Sequence, residues 1–282
     1  MAGLPIVRTR IDLAYDGTDF KGWARQPGLR TVQETLEDAL ATVLRVPAVA
    51  VTCAGRTDSG VHARGQVIHL ELDEQELSAS IGRSRLLPMD ALHRRLNGIL
   101  PPDIRVQQVR AAPPGFDARY SASWRRYAYR VTDGAVDPLA RHHVLAWPRP
   151  LDLAAMNEAA DLLLGLRNFA AYCKRREGAT TVRTLIDLHW EREPSGLAVL
   201  TVRADAFCHN MVRAITGALL AVGDGRRLAD WPKQVLDTEQ RHPAVTVAPA
   251  RGLTLEEVGY PDGLELVRQA ERARNKRELP DD

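Results

Sequence analysis

A chain of 282 residues, 45% hydrophobic and 26% charged, has ordinary globular composition and is long enough for one large domain or two compact ones. Its formal net charge of +2 gives no bulk argument for any class of partner. Three scattered cysteines without a C-x-x-C pair, an N-terminus (MAGLPIVRTR) without the apolar core of a signal peptide, and no run near the ~18 apolar residues of a membrane span point to a protein of a reducing, cytoplasmic compartment with no disulfide framework.

In chain order, Arg10–Tyr15 alternates Ile11, Leu13 and Tyr15 with polar or small neighbours, as a half-buried strand does. Thr31 opens a helix as N-cap, with Glu34 placed to close a capping box. Val32, Leu36, Ala39, Leu40, Val43 and Leu44 continue it at helical spacing. Strands are predicted over 49–54 and 66–72, a helix over 88–99 with Pro88 in its first turn, and a strand over 103–110. The second half repeats the order. A strand over 122–131 precedes a helix over 152–164. Strands over 181–190 and 197–203 follow, the former placing Val182, Thr184, Ile186, Leu188 and Trp190 on one face. A helix over 208–222, stopped by Gly223, leads to a last strand near 253–258.

Each half therefore reads β-α-β-β-α-β, the split βαβ order of ferredoxin-like domains. The predicted class is α+β: two ferredoxin-like domains with mixed or antiparallel sheets and an active-site cleft between them. The expected division is an N-terminal domain over 1–112, a C-terminal domain over 113–265 and a charged, frayed tail over 266–282, with the linker in AAPPGFDA at 111–118.

One loop does not look like scaffold. AGRTDSGVHARGQV, 54–67, sets Arg56, Thr57, Asp58, Ser59 and His62 between small-residue turns. Glycines 55, 60 and 65 could be turn residues, Asp58 an Asx turn and Arg56 solvated. The DSG tripeptide matches the short aspartic-protease pattern, but that chemistry needs a second such carboxylate and a different strand order, and neither is present. Metal ligation by His62 and His69, by Cys208 and His209, or by His142 and His143 lacks zinc-site spacing. No phosphate-cradling glycine motif opens a helix, so no nucleotide cofactor is expected. Beside the turn reading stands a lone catalytic carboxylate: an arginine two residues away favours an ionised Asp58, which can serve as nucleophile or base.

The stretch CAGRTDSGVHARGQV resembles the catalytic motif G-R-T-D-x-G-V-H of the tRNA pseudouridine synthase A family. AYDGTDFKGWARQPGLRTVQETLEDAL, FDARYSASWRRYAYRV, LLLGLRNFAAY, VRTL, AFCHNMVRAITGALLAVG and APARGLTLEEVGYP continue the resemblance in order, from about Ile11 to Pro261. The resemblance implies an isomerase that converts uridine to pseudouridine at positions 38, 39 and 40 of the tRNA anticodon stem-loop, without cofactor or metal, as a homodimer. It implies Asp58 as nucleophile, Arg56 as the residue that helps hold the base out of the stack, and Arg213 as the basic partner of Asp58. It implies Tyr127 as the ring stacked on the target base, with Tyr129 packed beneath, and Leu253 as an apolar lining of the pocket. Such enzymes must extrude the nucleotide to reach its glycosidic bond.

Residues 116–183 hold eleven Lys and Arg against seven Asp and Glu. With the resemblance, Arg119, Arg125, Arg126, Lys174, Arg175 and Arg176 read as a phosphate-binding surface. Three departures stand out: Ser59 where the family commonly has Ala, Ala24 where Gln is common, and a stretch over 73–90 longer than a compact member needs. The rival readings are a non-catalytic RNA-binding protein with ferredoxin-like domains and a structural interaction protein. The first lacks an RNP-like aromatic strand and the second leaves the Arg56/Asp58 loop unexplained.

Overall fold

A computed structural model describes residues 6–174 and 178–275, and the described residues divide into two compact units, 6–123 with 257–274, and 124–256. Each builds an α+β fold on a mostly antiparallel sheet.

In the first unit, β1 (Ile6–Tyr15) leads to α1 (Val32–Leu44), β2 (Thr52–Cys53), β3 (His62–Asp73), α2 (Glu74–Ile81), α3 (Pro88–Ile99) and β4 (Ile104–Ala111). The strand order is β4-β1-β3-β2: last, first, third, second. Ile11, Leu13, Leu36, Leu40 and Ile68 form its core. Thr31 caps α1 by accepting the Glu34 N–H, but the Glu34 carboxylate lies 3.7 Å from Arg25 instead of reaching back to close the box. The helix over 88–99 forms as predicted. The surplus stretch at 73–90 contributes α2, a helix without a long apolar stripe. Its signal was present: Asp73 accepts the Glu76 N–H while the Glu76 carboxylate accepts the Asp73 N–H, a complete capping box spelled by D-x-x-E.

In the second unit, β5 (Trp124–Thr132), β6 (Leu145–Ala146), α4 (Leu153–Asp161), β7 (Gly165–Asn168), β8 (Val182–Arg192), β9 (Ala198–Ala204), α5 (Met211–Gly223), α6 (Trp231–Asp237) and β10 (Leu253–Gly259) follow one another. Here the order β10-β5-β9-β8 is again last, first, third, second, with β7 added at the edge and β6 parallel to β5. The doubled ferredoxin-like order is thus present in both halves of the strand order, and β6, β7 and α6 are additions to it.

Three local expectations are corrected. Strand β8 carries a register shift between Leu185 and Asp187, so strict alternation fails. Val182, Leu185, Leu188 and Trp190 point inward and Ile186 is 42% exposed. Gly223 does not stop α5: it is the last helical residue, and a Cβ there would overlap the Met156 sulfur. Cys173 and Cys208 form a disulfide, with Cα atoms 5.6 Å apart, against the expectation of none. They lie 35 residues apart in sequence, and only folding brings the entry to α5 beside residue 173, where the Lys174 N–H donates to the His209 carbonyl. Cys53 stays a buried free thiol.

Within the charged segment from 266, the chain forms α7 (Glu265–Arg272) and buries Leu266 and Ala270. Phe116, in the Pro/Gly-rich stretch at 111–118, is fully buried beside Tyr260. No helix among the described residues is long and apolar enough to cross a membrane.

Candidate active site

The loop at 54–61 is held from behind by two glycine turns that follow β1. The Gly17 N–H donates to His62 Nδ1 at 3.0 Å, and a Cβ on Gly17 would overlap the Val61 carbonyl oxygen. Gly22, at φ 93°, lets the chain pass so close that an added Cβ would sit 3.0 Å from the Thr57 carbonyl oxygen. From the next residue, the Trp23 N–H donates to that same oxygen, and the Gly60 N–H donates to the Phe20 carbonyl. The Val61 N–H closes a turn on the Asp58 carbonyl at 3.1 Å, with Gly60 at φ 78° inside it.

Beneath the loop runs a buried polar chain. The Thr57 hydroxyl meets the Tyr15 hydroxyl at 2.8 Å, and Gln66 Nε2 donates to Tyr15 Oη and to the Gly55 carbonyl. Thr57 is therefore the inward residue of the motif. Its neighbours turn the other way: Arg56 and Ser59 are exposed and Asp58 is half-buried. The loop thus fixes the backbone on either side of Asp58. Burial pushes the nearby Cys53 thiol up to about 11, with the Arg56 and Arg119 charges acting against that rise.

The second unit positions its candidates on regular elements. Tyr127 and Tyr129 lie two apart on β5, on the same face. Tyr129 is fully buried and its hydroxyl donates to the Pro249 carbonyl at 2.7 Å. Burial raises its pKa above the usual tyrosine range, and the ring rests on Gly252, where a Cβ would lie 2.6 Å away. Tyr127 is buried at 7% exposure and stands edge-on to Phe207 with centroids 5.2 Å apart. Of the thirteen residues of α5, all but Arg213 are buried. The helix is thus apolar all round rather than on one side, and Arg213 is its one half-buried polar position. Arg213 Nε donates to the Ala248 carbonyl, and the Ala248 N–H donates to the Arg213 carbonyl, which fixes the guanidinium plane. Leu253, buried, begins β10 a few residues on.

The proposed phosphate surface is less uniform than the sequence suggested. Arg125 is 9% exposed and donates Nη1 to the Asp205 carbonyl, so it is held inside the unit. Arg126 is half-buried, while Lys174 and Arg119 are exposed. Arg175 and Arg176 lie outside the described residues. Of the first-unit histidines, His62 Nδ1 accepts the Gly17 N–H and lies 3.0 Å from an Asp16 carboxylate oxygen, and His69 Nδ1 accepts the Ala118 N–H. Cys208 is committed to its disulfide. Sequence reading missed the polar chain of Tyr15, Thr57 and Gln66. No local pattern marks it, because its members come from β1, the loop and β3.

A family model described as tRNA pseudouridine synthase matches residues 13–121 and 159–261. Among curated proteins, one from Frankia casuarinae is 56% identical over 277 residues, covering 98% of this chain and 97% of its own. One from Streptomyces griseus is 57% identical over 278 residues, covering 97% and 95%. A third, from Mycobacterium leprae, is 49% identical over 281 residues, covering 97% and 95%. All three carry the name tRNA pseudouridine synthase A.

Proposed function

Because this chain belongs to the tRNA pseudouridine synthase family, we propose that it isomerises uridine to pseudouridine at positions 38, 39 and 40 of the tRNA anticodon stem-loop. The observation that carries the reading is the placement of half-buried Asp58 on a loop whose backbone is fixed by the glycine turns after β1 and by β3. The enzyme class, an isomerase acting on tRNA, follows from the family.

In this reading Asp58 is the nucleophile that assists breaking of the ribose C1′–N1 bond. The uracil turns, its C5 bonds to C1′, the C5 proton is lost and N1 takes one up. Substrate and product are isomers, so the reaction needs no external oxidant or group donor. Arg56, exposed beside Asp58, offers a planar fork that can occupy the place of the extruded nucleotide or hold its phosphate. Tyr127 supplies the stacking ring, Leu253 apolar contact, and Arg213 the cationic partner of the carboxylate, its plane set by Ala248. Arg126 and Lys174 contribute phosphate contacts, joined in the proposal by Arg175. Arg125 acts from inside the unit by holding the 205 carbonyl. The protein works as a homodimer in the cytoplasm.

Mass mapping of pseudouridine in unmodified tRNA incubated with the protein tests the reading. Conversion at 38, 39 and 40 is expected. Tight tRNA binding with no converted uridine would replace it with the non-catalytic alternative.

A further inference from the structure

The surplus stretch at 73–90 builds something the catalytic loop does not use. Four arginines, Arg45, Arg83, Arg94 and Arg95, line one cleft of about 660 Å³ whose apolar wall includes Ile81 and Leu86. They come from three places in the first unit: the end of α1, the turn after α2, and α3. Arg45 is the C-cap of α1, in the left-handed region at φ 60°. Arg95 is aimed by two hydrogen bonds from Nη1 to the Ala79 and Ser80 carbonyls at the end of α2. No carboxylate lines the cleft, and among the described residues none of the four arginines makes an ion pair. Like charges gathered in a concave site focus a positive field, and an anion relieves their repulsion.

The geometry points to the phosphodiester backbone of RNA as that anion, and we propose that this cleft anchors tRNA away from the reacting nucleotide. The inference rests on tRNA being the substrate. Arginine forks match phosphate oxygens in pairs. Besides the four arginines and Ser84 the lining is apolar or glycine, so the site's polar chemistry is almost wholly cationic. Its distance from the chemistry follows from α1. The first turn of α1 lies against the catalytic loop's supports, where the Val32 N–H donates to the Gly22 carbonyl and the Gln33 N–H to the Trp23 carbonyl. Thirteen residues later the helix ends at Arg45, about 20 Å away at 1.5 Å per residue. A phosphate held there belongs to a part of the tRNA several nucleotides from the target.

The test is direct tRNA binding across a salt series, with single-turnover rates on the same samples. The variants are Arg83→Glu/Arg94→Glu and the milder Arg83→Gln/Arg94→Gln, both confined to exposed side chains. The expected result for the Glu pair is a rise of about 10-fold or more in Kd and a salt slope shallower by about 2, one for each lost phosphate contact. The Gln pair shifts in the same direction by less, and the maximal rate at saturating enzyme stays within about twofold of the parent. Unchanged Kd and slope in both pairs, with melting curves like the parent's, would overturn the proposal. So would a fall in maximal rate at constant Kd. Inorganic tripolyphosphate is the third arm: if the variants lose its thermal protection yet keep parental tRNA affinity, the cleft is a small-anion site and the tRNA assignment fails. Because binding is read without turnover, a parent that binds tRNA but forms no pseudouridine defeats the functional reading and still leaves the cleft scored.

Discussion

The two units hold their candidate residues by opposite means. In the first, Asp58 sits on a loop fixed by its neighbours: close-packed glycines at 17 and 22, the turn at Gly60, carbonyls of Phe20, Thr57 and Asp58 taken up by N–H groups, and the buried side chains of Thr57, Tyr15 and Gln66 beneath. In the second, Tyr129 and Arg213 sit on a strand and a helix and are fixed through their own side chains, each donating to a carbonyl of the segment 248–249. A loop residue held through backbone can be changed without loosening the loop, so its chemistry can be separated from its structure. A side chain that braces its own surroundings cannot be changed so cleanly. Substitutions of these side chains are therefore expected to divide, rate loss without instability at Asp58 and loss of stability at Tyr129 and Arg213.

Asp58→Asn gives the largest separation. The side chain is half-buried and nearly isosteric, and the loop does not depend on its charge for its backbone bonds. Pseudouridine formation is expected to fall on the order of 10⁴-fold, with tRNA Kd and melting temperature close to the parent. Turnover within a few-fold of the parent in a single-turnover assay would remove Asp58 from the chemistry.

Glycine substitutions attack the supports instead. Gly17→Ala pushes a methyl into the Val61 carbonyl, and Gly217→Ala, inside α5, pushes one into the Thr246 carbonyl. Both are expected to cost about 2 kcal/mol or more, because backbone on the far side cannot move aside cheaply. Gly17→Ala is also expected to lower the rate per folded molecule, since it displaces the loop that carries Asp58. Thermal melts and single-turnover rates measured together decide it. A Gly17→Ala protein as stable as the parent would show that the loop is not pinned there.

The same contrast explains what the sequence made legible. The loop at 54–67 stands out because backbone-held chemistry needs glycines and small residues at fixed spacing, and these are visible letters. The doubled strand order was legible from periodicity, and the helix at 88–99 from Pro88 and its apolar spacing. Packing against distant chain was not. The disulfide of Cys173 and Cys208, the bulge that turns Ile186 outward, and the burial of Arg125 beneath the 205 carbonyl depend on neighbours far along the chain. An all-apolar α5 could have been suspected from MVRAITGALLAVG, where Arg213 and Thr216 are the only polar letters. Helix α2 was announced by its capping box and was overlooked for want of a long apolar stripe.

The tyrosine pair sharpens the comparison within a single strand. Tyr129→Phe leaves the Pro249 carbonyl without its donor and is expected to cost about 1–3 kcal/mol of stability. Tyr127→Leu removes a ring that would stack on uracil, worth about 1–3 kcal/mol in affinity for the extruded base, while Tyr127→Phe keeps that ring. The expected pattern is a lower melting temperature for Tyr129→Phe with a near-parental rate per folded molecule, and a slower rate for Tyr127→Leu. A parental rate in Tyr127→Leu, with well-folded but inactive Tyr129→Phe, would exchange their roles.

The smallest effect lies in the first unit and concerns pH. His69 accepts the Ala118 N–H on Nδ1 and stands edge-on to Phe116, and burial lowers its pKa below the ordinary value near 6.5. Asp117 and Glu71 oppose that shift, and Arg8 adds to it. A histidine whose folded pKa is depressed takes up its proton more readily in the unfolded chain. Its contribution is therefore fully present above about pH 6.5 and is lost as pH falls from there toward the lower folded value. Melting temperature should decline on acidification from pH 7.5 to 5.5, and His69→Gln, which cannot titrate, should flatten that decline while lowering stability at pH 7.5. Activity per folded molecule should not follow, because His69 braces the buried Phe116 and not the loop of Asp58. An unchanged slope in His69→Gln would place the acid sensitivity on other groups, and a loss of rate at full stability would tie this histidine to the catalytic loop.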